Sequence, residues 1–105
     1  MEKRLLTDGQ KFDEERFTKV DLIKNKRSTA FLLNFLPGQH MKPHNHPERE
    51  LYLYVIEGGG IFTFDDEEIE VKQGDVLYCH QEEQVGFTNN NEKTSIYCTM
   101  TKMTE

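Results

Sequence analysis

The chain has no tryptophan, only three prolines and two cysteines, and no apolar run longer than residues 51–56. A membrane-crossing helix needs about 20 apolar residues, so none is expected. The opening Met1-Glu2-Lys3-Arg4 is followed by neither an apolar stretch nor a small-residue cleavage site, which leaves no export signal and points to the cytoplasm. In such a chain Cys79 and Cys98, each inside an apolar-leaning segment, read as buried free thiols, and a disulfide between them is disfavoured. Positive charge is also scarce: 13 Lys and Arg against 19 Asp and Glu give a formal charge of −6. The basic residues are scattered, apart from the cluster Lys24-Asn25-Lys26-Arg27, and this disfavours nucleic acid as a partner. What is present is seven Phe, four Tyr and enough apolar residues for a folded core. The length of 105 residues suits one domain, 1–105.

Helical periodicity is nearly absent. Over residues 13–24, Phe17, Val20 and Ile23 recur at about helical spacing, and a strand over 17–23 competes with a helix there. From Thr29 onward short runs rich in Phe, Tyr, Val, Ile and Thr alternate with turn residues. The strands expected are 29–35, 50–57, 61–64, 67–71, 76–79, 85–88 and 94–102, with a polar histidine-bearing stretch at 39–46. So many short strands in one small domain call for closure or a double sheet, because open edges pair with other chains. An all-β jelly-roll barrel follows. Residues 51–56 are apolar on both faces, so the strand must be covered on both sides. A chain this small has little left to cover the second face, and a homodimer partner is the expected lid.

His40, His44 and His46 lie within seven residues, beside Pro43 and Pro47 and just before Glu48 and Glu50. If residues 44–46 are extended, the i, i+2 spacing puts both imidazoles on one face, as needed to present two nitrogens to one metal ion. A nearby carboxylate would give a set of two histidines and one carboxylate, compatible with iron(II), manganese, nickel or zinc. The bland alternative is a polar loop. Cys79 adjoins His80, but neighbours in a strand point to opposite faces, which argues against a nucleophilic dyad. Gly58-Gly59-Gly60 reads as a tight strand turn, since no Lys-Ser/Thr helix follows it. Tyr52 and Tyr54 share parity with Glu50 and would either donate into a pocket or pack at the dimer face.

Gly38, followed by five residues, His44-Asn45-His46, Glu50 and then Gly58, resembles the first signature of the cupin superfamily. Gly74-Asp75-Val76-Leu77-Tyr78 with Gly86-Phe87 and Asn89 resembles the second, so the likeness spans 38–89. It implies a small double-stranded β-helix barrel, frequent homodimers, and a metal site made of two histidines and a glutamate of the first signature and a histidine of the second. His44, His46 and Glu50 fall at the first three positions. Val85 falls where the fourth histidine is usual, and His80 and Glu82 stand at the customary proline and glycine positions. Seven residues rather than six separate Glu50 from Gly58, so either Glu50 or Leu51 faces the barrel interior. His40 and His80 are further candidate donors. The resemblance implies a metal-dependent enzyme of dioxygenase, isomerase or decarboxylase type acting on a small polar molecule. The alternatives are a metal-free small-ligand-binding, sensor or accessory module, and a structural role using the apolar outer surface.

Overall fold

In the computed structural model, which describes residues 1–103, a short 3-10 helix (Leu6–Gly9) precedes nine strands. These are β1 (Thr18–Lys24), β2 (Ser28–Phe35), β3 (His40–His44), β4 (Arg49–Glu57), β5 (Gly59–Phe64), β6 (Glu67–Lys72), β7 (Val76–Cys79), β8 (Val85–Asn89) and β9 (Thr94–Lys102). They form a five-stranded sheet in the order β1-β2-β9-β4-β7 and a four-stranded sheet in the order β3-β8-β5-β6. All ladders are antiparallel, and the sheets face each other across one core as an all-β jelly roll. At residues 13–24 the strand wins over the helix. β1 pairs with β2 from Thr18 opposite Asn34 to Lys24 opposite Thr29, with a bulge between Asp21 and Ile23. Its backbone thereby satisfies an edge that a helix would leave open.

The core fills from alternate residues of facing strands. Phe31, Leu33 and Phe35 of β2, Leu51, Leu53 and Val55 of β4, and Ile96 and Cys98 of β9 meet Phe62, Phe64 and Phe87 from the opposite sheet. Phe87 stands between Phe35 and Phe62, with ring centroids 4.7 Å from each. Edge-tilted packing of this kind suits aromatic quadrupoles. The corner from β4 to β5 changes sheets at Gly58, where φ is +81°. A Cβ there would collide with Thr94, and one at Gly60 would collide with the ring of Phe87, so the glycine triplet is a steric requirement of the corner. Thr94 Oγ closes this end of the barrel by accepting from the backbone N–H of Gly59 at 3.1 Å.

The register of β4 is unambiguous. Leu51, Leu53 and Val55 are buried, while Tyr52 and Tyr54 are 52% and 42% exposed. Leu51 therefore faces the interior, and Glu50 lies on the outer face with the tyrosines. The N-terminal segment covers part of that outer surface. Asn34 Nδ2 donates to Gly9 O at 2.8 Å, Gln10 Nε2 donates to Ser95 Oγ at 3.2 Å, and Leu32 is fully buried. That cover reaches only the end of β4, where Gln10 Nε2 donates to Glu57 Oε1 at 3.4 Å, and leaves Tyr52, Tyr54, Val76 and Tyr78 exposed.

This register makes a stability prediction. Leu51→Ala leaves a cavity in the core and should lower the unfolding free energy by about 2–5 kcal/mol, whereas Glu50→Gln should leave the urea midpoint close to wild type. A neutral Leu51→Ala would place the opposite face of β4 inside.

Candidate functional site

One end of the barrel is open, and both histidines of the H-x-H pair stand there. On β3, Met41 pairs with Phe87 and His44 with Val85, with a shift in register between them. Residues three apart in a regular strand face opposite ways, so it is this irregularity that lets Met41 enter the core while the exposed His44 stands over the same side, at the cavity mouth. Pro43, which has no N–H to give the ladder, sits within the irregular stretch. His44 Nδ1 lies 3.0 Å from Lys42 O. A carbonyl only accepts, so Nδ1 donates to it and Nε2 is left free to face the cavity mouth.

His46 lies in the loop that crosses from β3 to β4. Arg49 N donates to His46 O at 3.1 Å, closing a turn with Pro47 second and Glu48 third at a φ of +62°. A positive φ at the third position after such a proline is the pattern of a type II turn, which normally takes Gly or Asn there. The turn aims His46 back over the barrel, with its ring centroid 4.5 Å from that of His44 and the planes tilted by 60°.

Beneath the two rings is a cavity of about 200 Å³, walled by Phe17, Phe31, Leu33, Met41, Leu51, Leu53, Val85 and Met100 and edged by Lys19. Its lining is almost wholly apolar. His46 Nδ1 is buried and has no hydrogen-bond partner among the described residues. Leaving a buried polar atom unsatisfied costs about 1–3 kcal/mol, so the position calls for a partner from outside the chain. Desolvation draws the pKa of His46 down to about 4, and the positive charge of His44, Arg49 and Lys19 adds to the effect. The ring is therefore neutral at pH 7.

The other candidate donors lie elsewhere. Glu50, read from the sequence as a third metal ligand, projects from the outer face, where Glu50 Oε2 accepts from the Tyr78 hydroxyl at 2.7 Å. That hydrogen bond, followed by desolvation and the carboxylate charge, pushes the Tyr78 phenol up to about 12. Leu51 takes the inward position because the alternation of β4 places it there. His40 is exposed opposite Thr88 at the edge of the second sheet. His80 sits in the β7–β8 turn, 3.6 Å from Glu83 Oε1.

Among the described residues no group of three or more His, Cys, Asp or Glu is placed to hold a metal ion. Leu51 and Val85 line the cavity where a carboxylate and a further imidazole would be needed, so the residues present do not fit a metal held by three or four protein donors. The geometry offers instead an apolar chamber with two imidazoles, His44 and His46, at its mouth. The thiols take no part. Both are free and buried; desolvation, then the charges of Glu83 and Asp65, pushes Cys79 up to about 11, and burial raises Cys98 further. Cys79 faces in and His80 out, as alternation requires. The sequence reading missed Phe17, Lys19 and Met100 as lining residues, because they reach the site from β9 and from the beginning of β1, far from the histidine motif in sequence.

The family model described as a cupin domain matches residues 31–100. The fold is similar to that of a protein from Thermus thermophilus, with a TM-score of 0.90 at 21% identity over 97% of this chain and 98% of the other. It is likewise similar to an RmlC-like cupin protein from Desulfovibrio desulfuricans, with a TM-score of 0.84 at 26% identity over 96% of each chain. By sequence it is 40% identical over 48 residues to an uncharacterized protein of Methanocaldococcus jannaschii. That match covers 41% of this chain and 38% of the relative, so the chain spans well under half of that protein.

The depressed His46 pKa has a sign that can be tested. As pH falls through 6.5 the unfolded chain takes up a proton at this position, while the folded one does not until about pH 4. Folding should therefore lose stability progressively over that window. The urea midpoint should fall more steeply from pH 7 to pH 4.5 in wild type than in His46→Gln. Parallel curves would mean that the imidazole is not withheld from solvent.

Proposed function

The chain belongs to the cupin family, and on that footing we propose that it is a small-ligand-binding cupin whose barrel takes up a compact organic molecule without a metal-dependent step. The observation that carries this reading is a single buried acceptor or donor, His46 Nδ1, left without a partner at the mouth of an otherwise apolar cavity. Sites for small molecules are typically apolar with a few placed polar groups. Burial of apolar ligand surface would supply affinity, and His46 with the free Nε2 of His44 would orient one polar group. Free buried thiols suit the reducing cytoplasm, where we place the protein.

Neutral probes test this directly. Millimolar cyclohexanol or benzyl alcohol should raise the melting temperature and shift the amide resonances of Phe31, Leu53 and Val85, and Val85→Phe, which fills the cavity, should abolish both effects. No response to either probe would overturn the reading. In the same assay manganese, iron(II), nickel and zinc should leave the melting temperature unchanged. A rise with one of them that disappears in His44→Ala/His46→Ala would make the pair a metal centre instead.

We also propose a homodimer through the outer face of β4 and β7. Tyr52 stands opposite Tyr78 and Tyr54 opposite Val76, which joins four exposed apolar side chains into one patch beside an edge strand. Patches of this kind mark interfaces, and a two-fold contact is the commonest way to bury one. Sedimentation should report twice the chain mass at micromolar concentration, and Tyr54→Lys should shift the species toward monomer. A monomeric wild type at all concentrations would remove the proposal.

A further inference from the structure

The inward-facing residues of the five-stranded sheet change character along the barrel axis. On β4 they run Val55, Leu53, Leu51 and then Arg49; on β9 they run Ile96, Cys98, Met100 and then Lys102. Arg49 and Lys102 stand directly opposite each other in the ladder. Like charges in that relation destabilise a sheet pair. Lys24 lies on β1 opposite Thr29, in register with Met100 and Leu51 and so one inward position from the Arg49–Lys102 pair, and Lys26 and Arg27 follow in the turn to β2.

These side chains, with Lys19, line a vestibule of about 430 Å³ that shares Lys19, His46 and Met100 with the inner cavity. Six cations thus gather at one end of a chain whose formal charge is −6. Asp21 is the one carboxylate among the described residues lining the vestibule, and it pairs with Lys19 at 3.0 Å. Among the described residues no carboxylate lies within 4.0 Å of the other five. Among the described residues their charge is therefore without a paired carboxylate, gathered in a concave rim, and set in line with an apolar chamber.

We propose that the ligand is an amphiphilic organic anion, its carboxylate or phosphate head held in the vestibule by Arg49, Lys102 and Lys24 and its compact apolar tail seated between Phe31, Leu51 and Val85. This rests on the small-ligand reading of the cavity and adds the chemical class. A bound anion offsets the repulsion between Arg49 and Lys102 across the ladder, and the tail brings a polar atom near the head within reach of His46.

Matched probes separate this inference from the reading on which it rests. In calorimetric titrations at low ionic strength, hexanoate should bind at least tenfold more tightly than hexan-1-ol, and the preference should shrink in 0.5 M salt as screening sets in. The Arg49→Gln/Lys102→Gln variant should bring hexanoate down to the level of hexan-1-ol. The same variant should melt no lower than wild type, which excludes misfolding as the cause. Equal affinity of wild type for the two probes would overturn the anionic class and leave the apolar cavity standing. Failure of both to bind would remove the cavity reading and this inference together. Inorganic phosphate binding as tightly as hexanoate would show that the rim takes free anions without a tail, and would overturn the amphiphile.

Discussion

Alternation along β4 governs what this barrel can do. A strand exchanges its two faces with every residue, so a single step in register would send Glu50, Tyr52 and Tyr54 inward and Leu51, Leu53 and Val55 into solvent. The observed register puts three aliphatic side chains into the core and leaves the carboxylate outside in a hydrogen bond with Tyr78. The same inward row ends at Arg49, so one parity choice excludes a carboxylate from the chamber and delivers a guanidinium to its rim. The chemistry of the mouth is in this sense a by-product of core packing two residues further along the strand.

Burial and charge act on His46 in the same direction. Desolvation disfavours the imidazolium, and the cations around it disfavour it further. A protonated ring there would face Arg49 and Lys19, and among the described residues no carboxylate lies within 4.0 Å of it to share the charge. Kept neutral, the ring offers one nitrogen that donates and one that accepts, which suits recognition of a polar group better than it suits an ion pair. The absence of inward carboxylates among the described residues thus shapes both the resting state of the histidine and the sign of the potential that an entering molecule meets.

Much of the fold was legible because turn residues punctuate it. The strands expected at 67–71, 76–79, 85–88 and 94–102 differ by no more than a residue at either end from those observed, since Asp65-Asp66, Gln73-Gly74-Asp75 and Asn89-Asn90-Asn91 mark their limits. β1 was less legible because its identity depends on pairing with β2, which local periodicity does not encode. The position of Glu50 was hidden for a different reason: residues 51–56 are apolar at every position, so the usual inside–outside contrast vanishes. His44 and His46 were found as a pair through their spacing, but not the irregularity in β3 that brings His44 to the cavity mouth. The rim cations come from β1, the turn after it, β4 and β9, and the overall acidity of the chain masks them. Lys24-Asn25-Lys26-Arg27 was visible as a cluster, yet nothing local says that Arg49 and Lys102 join it.

The order of strands also constrains when the molecule can come into being. β9, which follows all the other strands in sequence, lies between β2 and β4 at the centre of the five-stranded sheet. Without residues 94–102, β2 and β4 would each keep an inner edge open, and Phe31, Leu51 and Leu53 would have no Cys98 between them to pack against. Such non-local closure is slow compared with hairpin formation, and open edges are sticky. Docking of residues 94–102 between β2 and β4 closes both inner edges at once, so the same strand that removes the risk of pairing with neighbours also completes the wall of the chamber.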